Sequence, residues 1–356
     1  MKILFDHQLF SYQRYGGASK YFAMLMAHLP EGIWETTTLI SNNEYIRALD
    51  LFKTRHFLNR FYFRGQGRIM NELNKPYSLM KLRKGDYDVF HQTHFEPYCL
   101  KAIGDKPMVT TFHDINFATL NPNPRIVEQQ KKSLARADRI IAVSENTRKD
   151  VIEMFDLDPS KVEVVYHGIE MPTYTDDKRV FDFPYVLYVG SRENHKNFTR
   201  FVDAFAIFHK SFPEIHLVCT RQPFNAAESQ QLEKSGLSEC SHFISAREDV
   251  MNKLYRDAVM FVFPSLYEGF GMPILEAMAN NCPVVLADAS CFPEIAADSA
   301  LYFDPESIED MGERMITLAQ DTSLRNSLIS KGAERVRFFS WDNCARGHMK
   351  VYESLM

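Results

Sequence analysis

The stretch Val259–Ala287 reads VMFVFPSLYEGFGMPILEAMANNCPVVLA. It opens with an apolar run, Val259–Pro264, whose Val and Phe residues suit a strand buried on both faces. A loop follows with Glu268, Gly269 and Gly271, where glycine lets the backbone turn sharply and come close to a ligand. Pro273 suits the first turn of a helix, and Glu276 falls about one turn into it. A second apolar run, Val284–Ala287, then begins. Strand, loop, helix, strand is a βαβ unit, and parallel sheets built this way bind ligands at the carboxyl ends of their strands.

The same rhythm extends outward. Strand-like runs fall at Ile3–Phe5, Val89–Gln92, Met108–Phe112, Arg139–Ser144 and Val162–Tyr166. In the second half they fall at Tyr185–Val189, Ile215–Thr220, His242–Ser245 and Leu301–Phe303. Between them lie apolar stripes of helical period, Phe22, Leu25, Met26, Leu29 and Phe198, Phe201, Val202, Phe205, which are expected in the core. "EMPTYTDDKRVFDF", 170–183, is polar and lacks either period, which marks a linker. The expected organisation is a doubly wound α/β domain at 1–170, a linker at 171–184 and a second such domain at 185–339. A final helix at 340–356, with Ser340 as its cap, is expected to pack back on the first domain.

With 356 residues, 45% hydrophobic and 24% charged, the chain has room for two cores and the composition of a soluble globular protein. The start, MKILFDHQLF, breaks its apolar run at Asp6 and His7, unlike a signal peptide. No run approaches the ~18 apolar residues of a membrane-spanning helix, so a cytoplasmic location is expected. The six cysteines lack paired or zinc-like spacing and read as buried thiols. Net charge is −5, but residues 53–84 hold nine Lys or Arg against the single acid Glu72, a local +8 that leaves −13 elsewhere.

Four loops at strand ends carry candidate chemistry. In the quoted stretch the helix N-terminus attracts phosphate, while a carboxylate repels phosphate but accepts hydrogen bonds from sugar hydroxyls. Glu268, the glycine turn and Glu276 therefore suit a nucleotide sugar; the plainer reading is a helix whose first turn favours acids. In "YVGSRENHKN", Tyr188–Asn197, Gly190 turns the chain, and Arg192 and Lys196 offer a fork and a point charge for a diphosphate. The plainer reading there is a solvated basic loop. "RYGGASKYF", Arg14–Phe22, opens a helix at Gly16-Gly17 without the GxGxxG fingerprint, which disfavours a dehydrogenase. His113 and Asp114 end a strand in "TTFHDIN".

"YEGFGMPILEAMANNCPVV" resembles the signature of retaining glycosyltransferases of family 4, in its EGFG turn, its glutamate spacing, its Ala-Met-Ala and its Pro-Val-Val strand. The likeness extends over nearly the whole chain. It implies the GT-B fold, two facing Rossmann-like domains. It implies that Glu268 contacts the donor sugar hydroxyls and Glu276 the nucleotide ribose, with backbone N–H groups around Gly269, Phe270 and Gly271 facing sugar and diphosphate. The similar G-x-R-x-x-x-K-N stretch, Gly190 to Asn197, places Arg192 and Lys196 on the departing diphosphate. Gly17 lets its helix approach that diphosphate, His113 positions the donor, and Asp114 meets acceptor or sugar. Retention of the anomeric configuration is also implied. No carboxylate stands as an obvious nucleophile, so same-face attack, with the leaving phosphate oxygen taking the acceptor's proton, is the expected mechanism, in a cleft that closes to exclude water. "DHQLFSYQRYGGASKYF" and "VGSRENHKNF" look most like bacterial enzymes that build lipopolysaccharide O-antigen or capsule. That likeness implies GDP-mannose as donor and a glycan or polyprenyl-diphosphate-linked acceptor.

Asp86-x-Asp88 imitates a metal-binding pair but precedes a strand at its amino end, and His91 and His94 fall on opposite faces, so no essential metal and no cofactor beyond the donor is expected. The basic segment mixes its cations with Phe57, Phe61, Tyr62 and Phe63, which suits an anionic membrane surface or a helical cover of the first domain. The overall acidity counts against nucleic acid. Two rivals remain: a nucleotide-sugar epimerase on the same scaffold, and a non-catalytic sugar-nucleotide-binding partner subunit, whose expected sign is a broken site.

Overall fold

A computed structural model describes residues 1–58, 61, 63–115 and 123–356. They form two units, Met1–Gly168 together with Trp341–Met356, and Ile169–Ser340.

The first unit runs β1 (Ile3–Phe5), α1 (Gln8–Tyr12), α2 (Gly17–His28), β2 (Trp34–Thr36), α3 (Glu44–Ala48), α4 (Gln66–Lys84), β3 (Val89–Gln92) and β4 (Met108–Phe112). It continues through α5 (Pro124–Arg136), β5 (Arg139–Ala142), α6 (Glu145–Phe155) and β6 (Val162–Val164). The strands lie side by side in the order β2-β1-β3-β4-β5-β6, all parallel. The order reverses between β1 and β3. β2 is absent from the expected strands: it is a three-residue edge strand, half-buried throughout, whose Trp-Glu-Thr carries no apolar run.

The second unit runs β7 (Tyr185–Tyr188), α7 (Phe198–Ser211), β8 (His216–Thr220), α8 (Ala226–Lys234), β9 (Ser241–Ile244), α9 (Glu248–Asp257) and β10 (Met260–Phe263). Then come α10 (Met272–Ala279), β11 (Val284–Ala287), α11 (Phe292–Ala296), β12 (Leu301–Phe303), α12 (Ile308–Gln320) and α13 (Thr322–Arg335). Its parallel order is β12-β11-β10-β7-β8-β9, reversing between β7 and β10. β7, β10 and β11 are buried at every residue, as strands covered on both faces must be. The stripe Phe198, Phe201, Val202, Phe205 is buried, as is Phe22, Leu25, Met26, Leu29.

The last helix, α14 (Trp341–Glu353), returns to the first unit and packs on α2. The Tyr21 hydroxyl meets His348 Nε2 at 2.7 Å, and the Tyr352 hydroxyl meets His91 Nδ1 at 2.7 Å. The stretch 171–184, expected as a linker, is seated on the second unit. Asp176 pairs with Lys253, the Tyr174 ring lies 5.0 Å beneath Arg256, and Phe183 stacks 4.3 Å from His216.

Helix α4 carries most of the basic segment and acts as a cover. It turns Met70, Asn74, Ser78 and Leu82 inward, and the Asn74 side chain accepts from the backbone N–H groups of Leu39 and Ile40 at 3.0 and 2.9 Å. Its outer face exposes Ile69, Leu73 and Met80. Tyr62, expected among the aromatics of this segment, lies outside the described residues. Among the described residues no helix is long and apolar enough to cross a membrane.

Candidate active site

On the second unit the site forms where the strand order reverses. The loop after β7 brings Lys196 and the loop after β10 brings Glu268, and the two form an ion pair, each side chain mostly buried. The backbone around Glu268 is fixed from β11: Ser290, in a left-handed conformation at φ 54°, accepts from the Glu268 N–H at 3.2 Å and donates to its carbonyl at 2.6 Å. Gly271 has φ 84°, and a Cβ there would stand 3.0 Å from Ile274, so the turn into α10 requires glycine. No side chain caps α10, whose first turn contains Pro273. Pro273 has no N–H and the Ile274 N–H turns back to the Gly271 carbonyl at 2.9 Å, so the N-terminus presents an anion mainly with its dipole and the N–H groups beside that turn. Phe270 is buried against Phe339, and Gly269 beside it is buried. Glu276 is half-buried and its Oε2 accepts from the hydroxyl of the fully buried Tyr255 at 3.0 Å. Burial raises the Tyr255 phenol well above its ordinary range, so it stays a donor.

The flanking loop is equally constrained. The Gly190 N–H donates to Thr220 Oγ1 at 3.3 Å at φ 127°, open only to glycine. Asn197 takes the left-handed region at φ 56°, which asparagine tolerates, and its amide donates to the Pro305 carbonyl at 2.7 Å.

Arg192 departs from the expected fork on a diphosphate. Its side chain is 1% exposed and faces the loop after β8. The guanidinium donates to the Gln222 and Pro223 carbonyls at 2.8 and 2.7 Å and lies between the rings of Phe198 and Phe224. Its Nε stands 3.0 Å from Glu228 Oε1, an electrostatic contact whose N–H does not point at the oxygen. Sequence reasoning missed Glu228 and Ser290. Glu228 is hidden inside a helix N-terminal turn, where it also completes a capping box with Asn225. Ser290 follows β11 at its carboxyl end, and that position is the one sequence signal that points to it.

On the first unit, Gly17 opens α2 behind Gly16, with no side-chain cap. No heavy atom lies within 4 Å of where a Gly17 Cβ would stand. His113 follows β4, its ring edge-on to Tyr21 at 5.1 Å, and burial brings its pKa down to about 4. Asp114 is half-buried beside it. At the opposite end of the sheet, Asp86 pairs with Lys2 Nζ at 3.1 Å and Asp88 accepts from the Lys2 N–H at 2.7 Å.

Comparison with known proteins bears on the family and the fold. Residues 15–171 match the family described as Glycosyltransferase Family 4, and residues 176–335 match Glycosyl transferases group 1. The O-antigen chain mannosyltransferase B of Escherichia coli is 27% identical over 69% of this chain and 70% of its own. The O-antigen chain mannosyltransferase RfbU of Salmonella typhimurium is 30% identical over 49% of each chain. Among solved structures, HepE of Anabaena in complex with UDP and glucose superposes with a TM-score of 0.78 at 19% identity, covering 99% of this chain and 100% of that one. Sucrose-phosphate synthase of Thermosynechococcus elongatus gives 0.76 at 17% identity, over 100% and 99%. The two parallel six-stranded sheets have the GT-B fold, and this chain belongs to the family 4-like GT-B glycosyltransferases.

Proposed function

We propose that the chain is a retaining, metal-independent mannosyltransferase that moves mannose from GDP-mannose to a hydroxyl of a lipid-linked glycan during surface polysaccharide synthesis. The carrying observation is the Lys196–Glu268 pair beside the uncapped N-terminus of α10, where the strand order reverses. In this reading the α10 N–H groups and Lys196 take the diphosphate, Glu268 and the Gly269–Gly271 backbone meet the sugar, and Glu276 holds the ribose. Gly17 and His113 complete the donor contacts from the first unit, with Asp114 towards the acceptor. Arg192 acts through the loop it braces. The leaving phosphate oxygen takes the acceptor's proton on the face it departs from, which accounts for retention without a protein nucleophile. Mannose and the O-antigen setting rest on the named relatives.

In this reading the reaction runs at the inner face of the cytoplasmic membrane, which is supported by a basic segment that also exposes Leu58, Phe61, Ile69, Leu73 and Met80. The deciding experiment titrates the protein with GDP, UDP and ADP by calorimetry, with Lys196→Ala as control. Transfer from GDP-mannose is then followed by NMR of the product anomer, with and without chelator. GDP binding lost in Lys196→Ala, and a chelator-resistant α-linked product, are expected. Binding of UDP or ADP alone overturns the donor, a β-linked product overturns retention, and chelator-sensitive transfer overturns metal independence.

A further inference from the structure

The strand order of the first unit reverses between β1 and β3, and such a reversal opens a crevice at the carboxyl ends of the two strands. Two rings straddle it. Tyr12 ends α1 on the β1 side, and His94 follows β3 on the other, their centroids 5.6 Å apart. The neighbouring strand brings His113 to the same edge, since β3 and β4 run parallel with Gln92 opposite Thr110.

Three other buried imidazoles of this unit have hydrogen-bond partners, although the second nitrogen of His7, Nε2, is also buried without one. His91, also on β3, uses both nitrogens, with the Tyr352 hydroxyl at 2.7 Å and Thr111 Oγ1 at 3.0 Å. His348 also uses both, with the Tyr21 hydroxyl and the Cys344 carbonyl, and His7 bonds Ser11 through Nδ1 at 3.1 Å. His94 and His113 differ: neither ring nitrogen of either has a hydrogen-bond partner among the described residues, although His94 Nδ1 and His113 Nε2 are buried. A buried polar atom left unpaired is costly, so two at one strand edge call for a ligand that satisfies them. Burial holds His94 below the ordinary histidine range, with Glu96 opposing, so both rings are neutral at neutral pH. A neutral imidazole offers one donor and one acceptor, the complement of a hydroxyl.

His113 is already assigned to the donor. We infer that His94 binds the acceptor, holding a sugar hydroxyl over the face of Tyr12. The chemistry of the acceptor follows from what adjoins Tyr12. That ring is one wall of a cavity of about 210 Å³ which Arg14, Asn42, Phe63, Gln66 and Arg68 also line. Arg14 is paired with Glu44 at 2.8 Å, while Arg68 is exposed and supplies the net positive charge. The acceptor is thus a glycoside whose terminal sugar reaches His94 and whose anionic linkage, a phosphate or diphosphate ester, extends towards Arg68. This inference rests on the proposed mannosyl transfer and adds the acceptor side of that site.

The test compares wild type, His94→Ala and His94→Gln as full-length chains. GDP-mannose is the donor, and octyl α-mannoside and decyl diphosphate-linked mannose are the acceptor probes. His94→Ala is expected to raise the KM of both probes roughly tenfold, the equivalent of one lost hydrogen bond. His94→Gln should restore part of the loss. GDP affinity, melting temperature and slow hydrolysis of GDP-mannose without acceptor should stay within about twofold or a degree of wild type. Arg68→Ala should weaken only the diphosphate-linked probe. Unchanged acceptor KM in His94→Ala overturns the inference, as does a parallel fall in GDP affinity, which would make His94 a donor or folding residue. A wild type that binds GDP but transfers to neither probe overturns it with the mannosyl reading intact at the donor. A wild type that does not bind GDP overturns the donor reading itself.

Discussion

Lys196 and Glu268 stand 72 positions apart in sequence and form an ion pair at the β7–β10 reversal. Each holds the other in place until a ligand arrives. In the proposed reaction the diphosphate and sugar hydroxyls take over these two charges during turnover.

Lys196→Ala and Glu268→Ala should therefore each lower kcat by about 10²–10³, the usual effect of losing one preorganised partner of developing charge. Because the residues act on one transition state, the double variant should lose much less than the product of the single losses. Steady-state kinetics on the three variants decides it. Single variants within tenfold of wild type would remove both residues from the chemistry.

Arg192 carries a different expectation. With its side chain 1% exposed and its charge set against Glu228, removing it leaves a largely buried carboxylate and two carbonyls without donors. Arg192→Ala should destabilise the second unit by about 3 kcal/mol. A fall in melting temperature of roughly 5–10 °C should follow. Lys196→Ala, which removes one charge from a pair that keeps some solvent contact, should lower the melting temperature by less than Arg192→Ala does. An Arg192→Ala protein of normal stability and no activity would return Arg192 to direct contact with the diphosphate.

Most of the architecture was legible in the sequence because parallel strands covered on both faces are short continuous apolar runs. Residues such as Val284–Ala287 have no other stable place. β2 was not legible: Trp34–Thr36 is an edge strand without that requirement. The site was legible in outline, since Glu268 and Lys196 both follow strands and were expected at their carboxyl ends. Arg192 was not, because a cation's direction depends on Glu228, Phe198 and Phe224, which reach it only through the fold. His94 was read as facing away from His91, but β3 ends at Gln92 and His94 lies in the turn beyond it. What the spacing did not reveal is that the buried Nδ1 of His94 has no hydrogen-bond partner.

Gly17 offers a test separating fold from ligand. Nothing in the protein stands within 4 Å of a Cβ placed there, and its φ is not in the left-handed region. Alanine is also the better helix former, by up to about 1 kcal/mol. Gly17→Ala should melt at or slightly above the wild-type temperature. If the donor diphosphate approaches this backbone, the variant should nonetheless lose tenfold or more in kcat/KM for GDP-mannose, by analogy with other close phosphate–glycine contacts. Full activity in Gly17→Ala would remove the contact.

The outer face of α4 tests the membrane reading. Ile69 and Leu73 are 42% and 45% exposed, so charged residues there should not disturb the core. The double variant Ile69→Glu, Leu73→Glu should melt as wild type does yet sediment less with anionic vesicles. Wild-type binding should weaken as salt rises, because the cations contribute within a Debye length of about 8–10 Å. Equal sedimentation of variant and wild type, or none by either at low salt, rejects membrane docking through this face.

The buried histidines set the pH dependence. Burial lowers His7 to about 3 and His113 and His348 to about 4, with His91, His94 and His167 also depressed. The unfolded chain protonates these rings near pH 6.5, whereas the folded first unit does not. Below pH 6.5 the unfolded state therefore binds more protons, and stability present above that pH is lost as pH falls towards 4. Asp6 works in the other direction. Fully buried, its pKa is raised to about 6, so the folded state holds a proton that the unfolded state releases, and this group gains stability between pH 6 and 4. One carboxyl opposes six imidazoles, each contributing up to about 1.4 kcal/mol per pH unit, so the first unit should weaken on acidification. In the second unit His216 and His242 are shifted downward, and both are half-buried, not enclosed. Calorimetric scans at pH 7.5 and 5 should show the transition of the first unit moving down by more than about 10 °C, while that of the second moves much less. Two transitions that fall together, or a second unit that unfolds first, would show that these imidazoles are protonated in the folded chain.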